Sequence, residues 1–369
     1  MTVSLCIIAF NEEEVVGGLL SEVLAQSYPK AKTEIVLVNS ASTDGTRKIF
    51  CEFAKKNIKD YWNIAVLDNP KRLQAAGWNT AISAAAGDII IRVDAHASIP
   101  PEFVEKNAAL AESGEYVCGG ARPNTIDSPT PYKEMLLLAE SSMFGSSFAS
   151  YRRRSSGKKY VDSLFHAAYR REVFEKVGGF NESLGRTEDN ELHYRIRQNG
   201  FKICQSEEII SYQQIRPTLS EMAAQKYGNG KWIGLTLGVC PGCLSVFHFA
   251  PFCLVLAFMA GIILAAVGAV SGNMVLMLPL AALAALYVVG DIVITLAAVM
   301  TAERKSGWLY LLPLVFPALH FSYGAGTLTG IFELPFWKRR LDGSAEKEIE
   351  KVKNCVINNT KRRGSDVSV

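Results

Sequence analysis

An aspartate and a histidine two positions apart, Asp94 and His96, follow the apolar run Ile89–Ile91 and Val93. The run predicts a strand buried on both faces, as in a parallel sheet. Residues i and i+2 of an extended chain point to the same side, so this carboxylate and imidazole can share a divalent metal, which can hold a diphosphate. Open α/β sheets bind ligands at the carboxyl ends of their strands, where this pair lies. A surface turn that happens to contain both residues is the alternative interpretation.

The elements that would position this pair alternate between strands and helices. Apolar runs predict four strands, at Val3–Ala9, Glu34–Val38, Asn63–Leu67 and Asp88–Val93. Helical spacing and capping residues predict helices between them, at Glu13–Gln26, Arg47–Asn57 and Gln74–Ala86. The less regular stretch that follows predicts one strand, Tyr116–Ala121, and helices at Pro100–Ser113, Arg170–Val177 and Asp189–Asn199. Alternation of this kind indicates βαβ units, and hence an α/β nucleotide-binding domain with a largely parallel sheet.

Candidate nucleotide-binding residues lie at the other strand ends as well. They are Ala9, Asn11 and Glu12 at the end of the first strand, Asn39, Ser42 and Asp44 after the second, and Lys71 and Arg72 after the third. Together with Asp94 they could hold a base, a ribose and a metal-bound diphosphate. The alternatives are that residues 42–46 only cap a helix and that Lys71 and Arg72 are solvated.

The composition changes sharply along the 369 residues, whose net charge of +3 is too small to indicate nucleic-acid binding. Residues 1–235 are predicted to be a cytoplasmic domain, because no signal peptide precedes the first strand. Residues 236–337 are predicted to be a membrane domain with hydrophobic segments at 243–270, 273–300 and 308–332, each close to the roughly 20 residues that cross a bilayer. Residues 338–369 are expected to be a basic, disordered tail.

The distribution of basic residues conflicts with three full crossings. Arg304 and Lys305 lie between the second and third segments, and Lys338, Arg339 and Arg340 follow the third. The positive-inside rule places both groups in the cytoplasm, whereas three crossings would place the tail outside. One segment is therefore expected to be re-entrant or interfacial, and both 308–337 and 243–270 are candidates.

Several other features allow more than one interpretation. The eight cysteines show no disulfide spacing, and Cys240 and Cys243 are expected to pack as small residues, with a redox or zinc role as the alternative. The basic stretch Arg152–Lys159 could meet anionic lipid or a lipid diphosphate, or could be a solvated loop. Asp291 and His320 lie in apolar segments, where ionisable groups are costly, and could serve a helix contact or a function.

Several segments carry a family resemblance. Val3–Glu13, Glu34–Thr46 and Gly87–His96 resemble the family 2 glycosyltransferases of the GT-A fold, as do Arg170–Glu182 and Thr187–Leu192. The match covers about residues 1–235. The Arg-Val-Asp-Ala-His-Ala form at 92–97, with hydrophobic segments at the C-terminus, is most similar to the glucosyltransferases of succinoglycan-type exopolysaccharide synthesis.

The resemblance implies a nucleotide-sugar donor, commonly a UDP-sugar, and inversion at the anomeric carbon. By analogy, Asp94 and His96 would hold Mg²⁺ or Mn²⁺, and Asp189 would be the general base that takes the proton of an acceptor hydroxyl. Glu188 and His193 would lie on the acceptor side. The alternative for the acidic pair is a helix N-terminus, where acids are favoured anyway.

The chain departs from the family pattern in two places. Most relatives have Asp-Asp or Asp-Gly where this chain has Asn39-Ser40, and an asparagine can accept a hydrogen bond from the base only without charge. The identity of the donor base therefore stays open. The Gln-x-x-Arg-Trp motif of processive synthases is also missing, because Gln225–Trp232 in the equivalent region does not fit, which favours addition of one sugar.

The sequence as a whole predicts a membrane-anchored inverting glycosyltransferase. It would transfer a sugar such as glucose from a UDP-sugar to a polyprenyl-diphosphate-linked saccharide, next to other glycan-assembly enzymes and without nucleic acid. One alternative is a polyprenyl-phosphate sugar synthase, whose ionised acceptor would not need Asp189 as a base. A second is a non-catalytic scaffold, suggested by Asn39-Ser40. A transporter is disfavoured because there are too few spans.

Overall fold

The structure is a computed structural model, and it describes residues 1–142, 144–145, 157–302 and 304–366. The chain divides into two compact units. The first combines Met1–Pro123, Ser150–Gln213 and Leu341–Val369, and the second combines Asn124–Ala149 and Gln214–Arg340. These limits differ from the predicted boundary at residue 235, because the chain leaves the first unit well before the hydrophobic segments and returns to it after them.

An eight-stranded sheet forms the centre of the first unit. Its strands are β1 (Val3–Ala9), β2 (Thr33–Asn39), β3 (Asn63–Asp68), β4 (Ile89–Asp94), β6 (Val117–Ala121), β8 (Lys158–Tyr160), β9 (Ala168–Arg170) and β10 (Ile203–Ile210). Their order is β3-β2-β1-β4-β9-β6-β10-β8. The first four run parallel, whereas β9 is antiparallel to both β4 and β6. Two short strands, β5 (Ala97–Ser98) and β11 (Tyr212–Gln214), pair with each other. The carboxyl ends of the four parallel strands therefore form one edge.

Helices cover both faces of this sheet. One hydrophobic cluster joins it to α1 (Val16–Leu24), α2 (Thr46–Asn57) and α4 (Phe103–Glu112). The other joins it to α3 (Gln74–Ala84), α6 (Arg171–Val177), α7 (Glu188–Gln198) and α12 (Ser344–Asp366). Alternate residues of β1 enter the two clusters, Leu5 in one and Cys6 in the other, as the period of a strand requires. The strands and helices predicted from the sequence are confirmed to within three residues at each end.

Helix α12 corrects the prediction of a disordered tail. Val352 and Val356 are buried in the same cluster as Trp78 of α3 and Phe174 of α6. The chain can approach closely because Gly179 has no side chain: a Cβ there would lie 2.8 Å from the Cβ of Val352. The apolar positions of α12 are isolated among charged residues, so composition alone suggests a solvated segment although one face of the helix is apolar.

In its described residues, the second unit contains β7 (Asn124–Thr125) and five α-helices, α5 (Pro131–Ser141), α8 (Leu219–Thr236), α9 (Ala250–Ser271), α10 (Leu278–Thr301) and α11 (Leu312–Lys338). Three helical segments of the described part of the chain are long and apolar enough to cross a membrane, Val246–Ser271, Met274–Thr301 and Gly307–Lys338. They coincide with the three predicted hydrophobic segments.

The sequence also allows predictions for the cysteines, for Asp291 and His320, and for the basic stretch 152–159. All eight cysteines are free thiols, Cys240 and Cys243 included. Thr295 donates a hydrogen bond to buried Asp291, and the ring of His320 lies between the Tyr287 hydroxyl and the Phe144 carbonyl, so both ionisable groups serve contacts within the helical unit. Most of the basic stretch 152–159 lies outside the described residues.

Candidate active site

Three loops leave the carboxyl ends of β1, β2 and β3, and each contains a non-glycine residue with a left-handed backbone. The φ angle is +55° at Asn11, +55° at Ala41 and +57° at Arg72, and no other non-glycine residue in the described ranges has a positive φ. Such a conformation costs roughly 1–2 kcal/mol for a residue with a side chain, less for asparagine. Backbone strain clusters at functional sites, so this edge of the sheet is the candidate site.

The first two loops hold each other in place. The backbone N–H of Asn11 donates to Ser42 Oγ (3.0 Å), and the Asn11 side-chain oxygen accepts from the N–H of Thr43 (2.8 Å). The N–H of Glu13 donates to Asp44 Oδ2 (3.1 Å). The predicted nucleotide-binding residues Asn11, Ser42 and Asp44 thus come together, with their polar atoms already engaged in joining the loops.

Asn39 lies at the end of β2 and faces a carboxylate that the sequence analysis missed. Its amide nitrogen donates to Asp68 Oδ1 at the end of β3 (2.9 Å), and its amide oxygen accepts from the N–H of Ser42 (3.2 Å). Arg47 binds the same carboxylate, and hydrogen bonds from Arg47 and Asn39 lower the pKa of Asp68. The carboxylate at this point of the edge therefore comes from β3 and not from β2. The in-register pairing of Asn39 with Asp68 brings it there, and only the strand order reveals this pairing.

The two basic residues after β3 differ in their surroundings. Lys71 Nζ lies 2.7 Å from Glu182 Oε2 and 3.4 Å from Glu348 Oε1 of α12. The guanidinium of Arg72 lies over the ring of Phe10, 5.8 Å from its centroid. Lys71 is thus neutralised by two carboxylates, with which a diphosphate would have to compete.

Asp94 is nearly buried at the end of β4, beside a histidine that the sequence analysis did not identify. The Asp94 N–H lies 3.5 Å from His166 Nε2, and the Asp94 carboxylate lies 3.8 Å from the same nitrogen. The other ring nitrogen of His166 is 2.8 Å from Ser211 Oγ. Burial raises the pKa of Asp94, but the imidazoles of His166 and His96 and the guanidinium of Arg92 outweigh burial and lower it. Asp94 is therefore an anion at neutral pH.

His96, the second predicted metal ligand, bridges two loops. Its Nδ1 lies 3.1 Å from Glu12 Oε1, and its Nε2 lies 2.9 Å from the side-chain amide of Gln213. The described residues contain no group of three or more His, Cys, Asp or Glu side chains arranged for a metal ion. The donor set of Asp94 and His96 therefore fits Mg²⁺ or Mn²⁺ only where a diphosphate and water supply the other ligands, as is common for Mg²⁺.

A buried ion pair joins strand β4 to helix α7. Arg92 is completely buried, and its guanidinium contacts Asp189 through two atom pairs, at 2.5 Å and 3.2 Å. The rings of Trp78 and Phe180 flank the guanidinium, 4.7 Å and 4.9 Å from its carbon. These two contacts fix the orientation of the Asp189 carboxylate, whose oxygens still have lone pairs that can accept further hydrogen bonds. The role of Arg92 is not evident from the sequence, where this arginine is one polar residue in an otherwise apolar strand.

Glu188, the first residue of α7, is buried next to Asp189. Its Oε2 has no hydrogen-bond partner among the described residues. Burial, and then the charge of Asp189, raise the pKa of Glu188 to about 8. Glu188 is therefore mostly protonated at neutral pH, in contrast to an ordinary exposed glutamate.

His193 corrects the prediction of an acceptor-side role. Its side chain is fully buried, with Nδ1 2.8 Å from Ser163 Oγ and Nε2 2.8 Å from the Tyr169 hydroxyl. Burial lowers its pKa to about 4. Both nitrogens are occupied inside the protein, so His193 is a neutral packing residue that supports α7. Its spacing of four residues from Asp189 places both on the same face of α7, so the sequence alone could not have predicted this burial.

Comparison with known proteins gives concordant results. The family model described as glycosyl transferase family 2 matches residues 4–178. The succinoglycan biosynthesis protein ExoA of Rhizobium meliloti is 31% identical over 235 residues, which is 62% of this chain and 68% of that protein. A dolichyl N-acetyl-alpha-D-glucosaminyl phosphate 3-beta-D-2,3-diacetamido-2,3-dideoxy-beta-D-glucuronosyltransferase of Methanococcus voltae is 24% identical over 256 residues, or 68% of this chain and 78% of that protein.

A solved structure agrees at the level of the fold. The mannosyltransferase PcManGT from Pyrobaculum calidifontis, in complex with GDP-Man and Mn²⁺, superposes with a TM-score of 0.52 over 90% of this chain and 87% of that one, at 18% identity. The resemblance and the GT-A fold class stated from the sequence are thereby confirmed. With strands, sheet edge and relatives in agreement, this chain belongs to glycosyl transferase family 2 and is a glycosyltransferase with membrane-spanning candidate helices.

Proposed function

We propose that this protein is a membrane-anchored inverting glycosyltransferase that moves a sugar from a UDP-sugar to a polyprenyl-diphosphate-linked saccharide. One observation carries the proposal. Arg92 and Asp94 occupy the same strand two residues apart, so one strand holds both the carboxylate at the donor edge and the guanidinium that orients Asp189. Donor site and candidate base are thus fixed to a single rigid element, which catalysis by positioning requires.

Asp189 is the proposed general base. An acceptor hydroxyl attacks the anomeric carbon as the bond to the nucleoside diphosphate breaks, and its proton passes to the Asp189 carboxylate. A single displacement of this kind inverts the anomeric centre. Protonated Glu188 lies next to Asp189 and adds no second negative charge there, so it is a positioning residue on the acceptor side.

Asp94 and His96 would hold the divalent metal, which would neutralise the charge on the leaving diphosphate when bound. His96 would do so by exchanging one of its contacts, with Glu12 or Gln213, for the metal. Arg72 and Lys71 would meet the diphosphate from the loop after β3. Ala9, Asn11, Glu12, Ser42 and Asp44 would form the wall of the nucleotide site.

Asn39 and Asp68 are the proposed contacts of the base. The Asp68 carboxylate can accept a hydrogen bond from the ring N–H of uracil, a role that a carboxylate on β2 would otherwise take. Guanine also offers one ring N–H donor, and the fold neighbour was solved with GDP-Man. A donor panel must therefore include both UDP- and GDP-sugars, and binding of GDP-sugars alone would contradict the UDP assignment.

The proposed acceptor and location follow from the hydrophobic segments and from the relatives. The M. voltae relative is named for a dolichyl-phosphate-linked substrate, and the R. meliloti relative for succinoglycan biosynthesis. Anchoring the enzyme in the same membrane as a lipid-linked acceptor raises the effective concentration of that acceptor. The catalytic domain would face the cytoplasm, where other glycan-assembly enzymes supply and use the lipid-linked saccharide.

The decisive experiment is Asp189→Asn in the full-length protein. Sugar transfer to lipid-linked saccharide should fall by about 10²–10⁴-fold, the usual contribution of a general base, while donor binding is retained. Glu191→Gln, which alters another carboxylate of the same helix paired with Arg195, is the matched control and should keep transfer. Retention of most activity in Asp189→Asn would instead favour a polyprenyl-phosphate acceptor. Absence of any nucleotide-sugar binding in the unaltered protein would favour a scaffold.

A further inference from the structure

Helices α9 and α10 have the properties of membrane crossings. They contain 22 and 24 residues, so each is about 33–36 Å long, enough for a hydrocarbon core of about 30 Å. Most of their large apolar side chains are exposed, for example Ile263, Val289 and Leu296. Within the described helices such exposure needs lipid as the surrounding medium.

Helix α11 differs from these two although it is the longest. It is the least apolar of the three candidate spans, a larger share of it is buried, and it contains Glu333 and two internal prolines, Pro317 and Pro335. Its second half packs directly on α8, backbone against backbone. A Cβ at Gly230 of α8 would collide with the carbonyl of Tyr323, and one at Gly326 of α11 would collide with the carbonyl of Tyr227.

The two helices run parallel, since Gly230 meets Tyr323 and Gly234, further along α8, meets Gly330. Helix α8 carries charges along the shared length. Lys231 pairs with Glu333 of α11 at 2.8 Å, and both side chains are partly exposed. Exposed ionised groups are costly in hydrocarbon, so α8 and the second half of α11 are unsuited to the middle of a bilayer.

The chain after α11 gives an independent constraint. Only five residues, 339–343, separate Lys338 from Ser344, the first residue of α12. Such a linker spans at most roughly 20 Å, less than the thickness of the hydrocarbon core. Since α12 is part of the same hydrophobic core as β1, the end of α11 lies on the same side of the membrane as the N-terminal domain. The number of crossings between residues 214 and 340 must therefore be even.

We infer that α9 and α10 are the two crossings and that the α8–α11 pair lies in the membrane interface, on the side of the catalytic domain. The partner of this surface is the lipid bilayer that α9 and α10 cross. Phe332 and Phe336 are exposed on α11 and suit the acyl-chain boundary, and exposed Lys338, Arg339 and Arg340 follow at the level of the phosphate headgroups. This arrangement removes the conflict between three apolar segments and two basic groups on one side, and it does not depend on which reaction the enzyme performs.

Epitope tags in the full-length protein test this arrangement. One tag each is placed at the N-terminus, after Gly272, after Lys305 and at the C-terminus, and antibody labelling is compared in intact and permeabilised spheroplasts. The Gly272 tag should be labelled in intact cells, and the other three only after permeabilisation. Opposite sides for the N- and C-terminal tags would overturn the inference, and these two tags disturb no internal helix.

The internal tags decide which segment fails to cross. If the Lys305 tag is on the side opposite to the C-terminal tag, α11 crosses and the inference is wrong. If the N-terminal, Lys305 and C-terminal tags are all labelled in intact cells and the Gly272 tag is not, the two-crossing arrangement is supported. In that case only the cytoplasmic orientation in the proposed function fails. Alkali-resistant membrane association of each tagged protein is the control.

Discussion

The buried carboxyl of Glu188 predicts an unusual pH dependence of stability, which the substitution Glu188→Gln should remove. In the folded protein its pKa is about 8, against an ordinary value of 4.5, and burial is the main cause. Because the folded state binds this proton more tightly than the unfolded state, the contribution of Glu188 to stability falls as the pH rises from about 4.5 to 8. Below that window the group costs nothing, and above it the cost is complete.

The size of the effect follows from the shift. The rise from 4.5 to about 8 is about 3.5 units and corresponds to about 5 kcal/mol, which is an upper limit because Glu188 and Asp189 titrate as a coupled pair. For a domain of about 200 residues, each kcal/mol moves the midpoint of thermal unfolding by about 2–4 °C. Relative to the unaltered protein, Glu188→Gln should therefore gain several degrees at pH 8 and little at pH 5.

The assay is thermal unfolding of the detergent-solubilised full chain, followed by tryptophan fluorescence at pH 5, 6, 7 and 8. Glu191→Gln, on the same helix and paired with Arg195, is the control and should keep the pH dependence of the midpoint of the unaltered protein. An equal pH slope in Glu188→Gln and in the unaltered protein would refute the reasoning, because no buried proton would then be held at Glu188.

Three further perturbations address other parts of the first unit. Arg92→Met leaves the Asp189 carboxylate without its guanidinium partner and should destabilise the domain by up to about 3–5 kcal/mol. Adding Asp189→Asn to Arg92→Met should raise the midpoint of thermal unfolding part of the way back to that of the unaltered protein. His166→Gln should weaken Mn²⁺-dependent donor binding by about 10–100-fold in calorimetry, since His166 contacts Asp94 and orients it. An unchanged affinity would show that Asp94 does not need this contact. Val356→Ala should lower the free energy of unfolding by about 2 kcal/mol, because the Val356 side chain is fully buried. Asn354→Ala alters an exposed residue of the same helix and should change the free energy of unfolding little. Equally small effects of the two substitutions would mean that α12 does not pack on the sheet.

The local pattern of the sequence determined the strands, their ends and the hydrophobic segments. Ile89–Ile91 is apolar at every position, as in a strand covered on both faces, and the polar residues that follow it mark where the sheet ends. For the same reason the residues after β1, β2 and β4 could be placed at one edge before the structure was known. Runs of apolar residues as long as a bilayer is thick are equally local signals.

Only the tertiary structure decided which side chains meet at that edge. His166 lies 72 positions from Asp94, and Asp189 lies 97 positions from Arg92, so no periodicity connects the members of either pair. The neighbour of Asn39 depends on the register of β2 against β3, and the burial of His193 depends on the face of α7 that packs on Tyr169. Helix α12 returns to the sheet after more than a hundred residues of another unit, and its few apolar positions become a helix face only because a matching surface on α3 and α6 covers them. Contacts of this kind arise from the packing of elements that are distant in the sequence, so local sequence patterns cannot predict them.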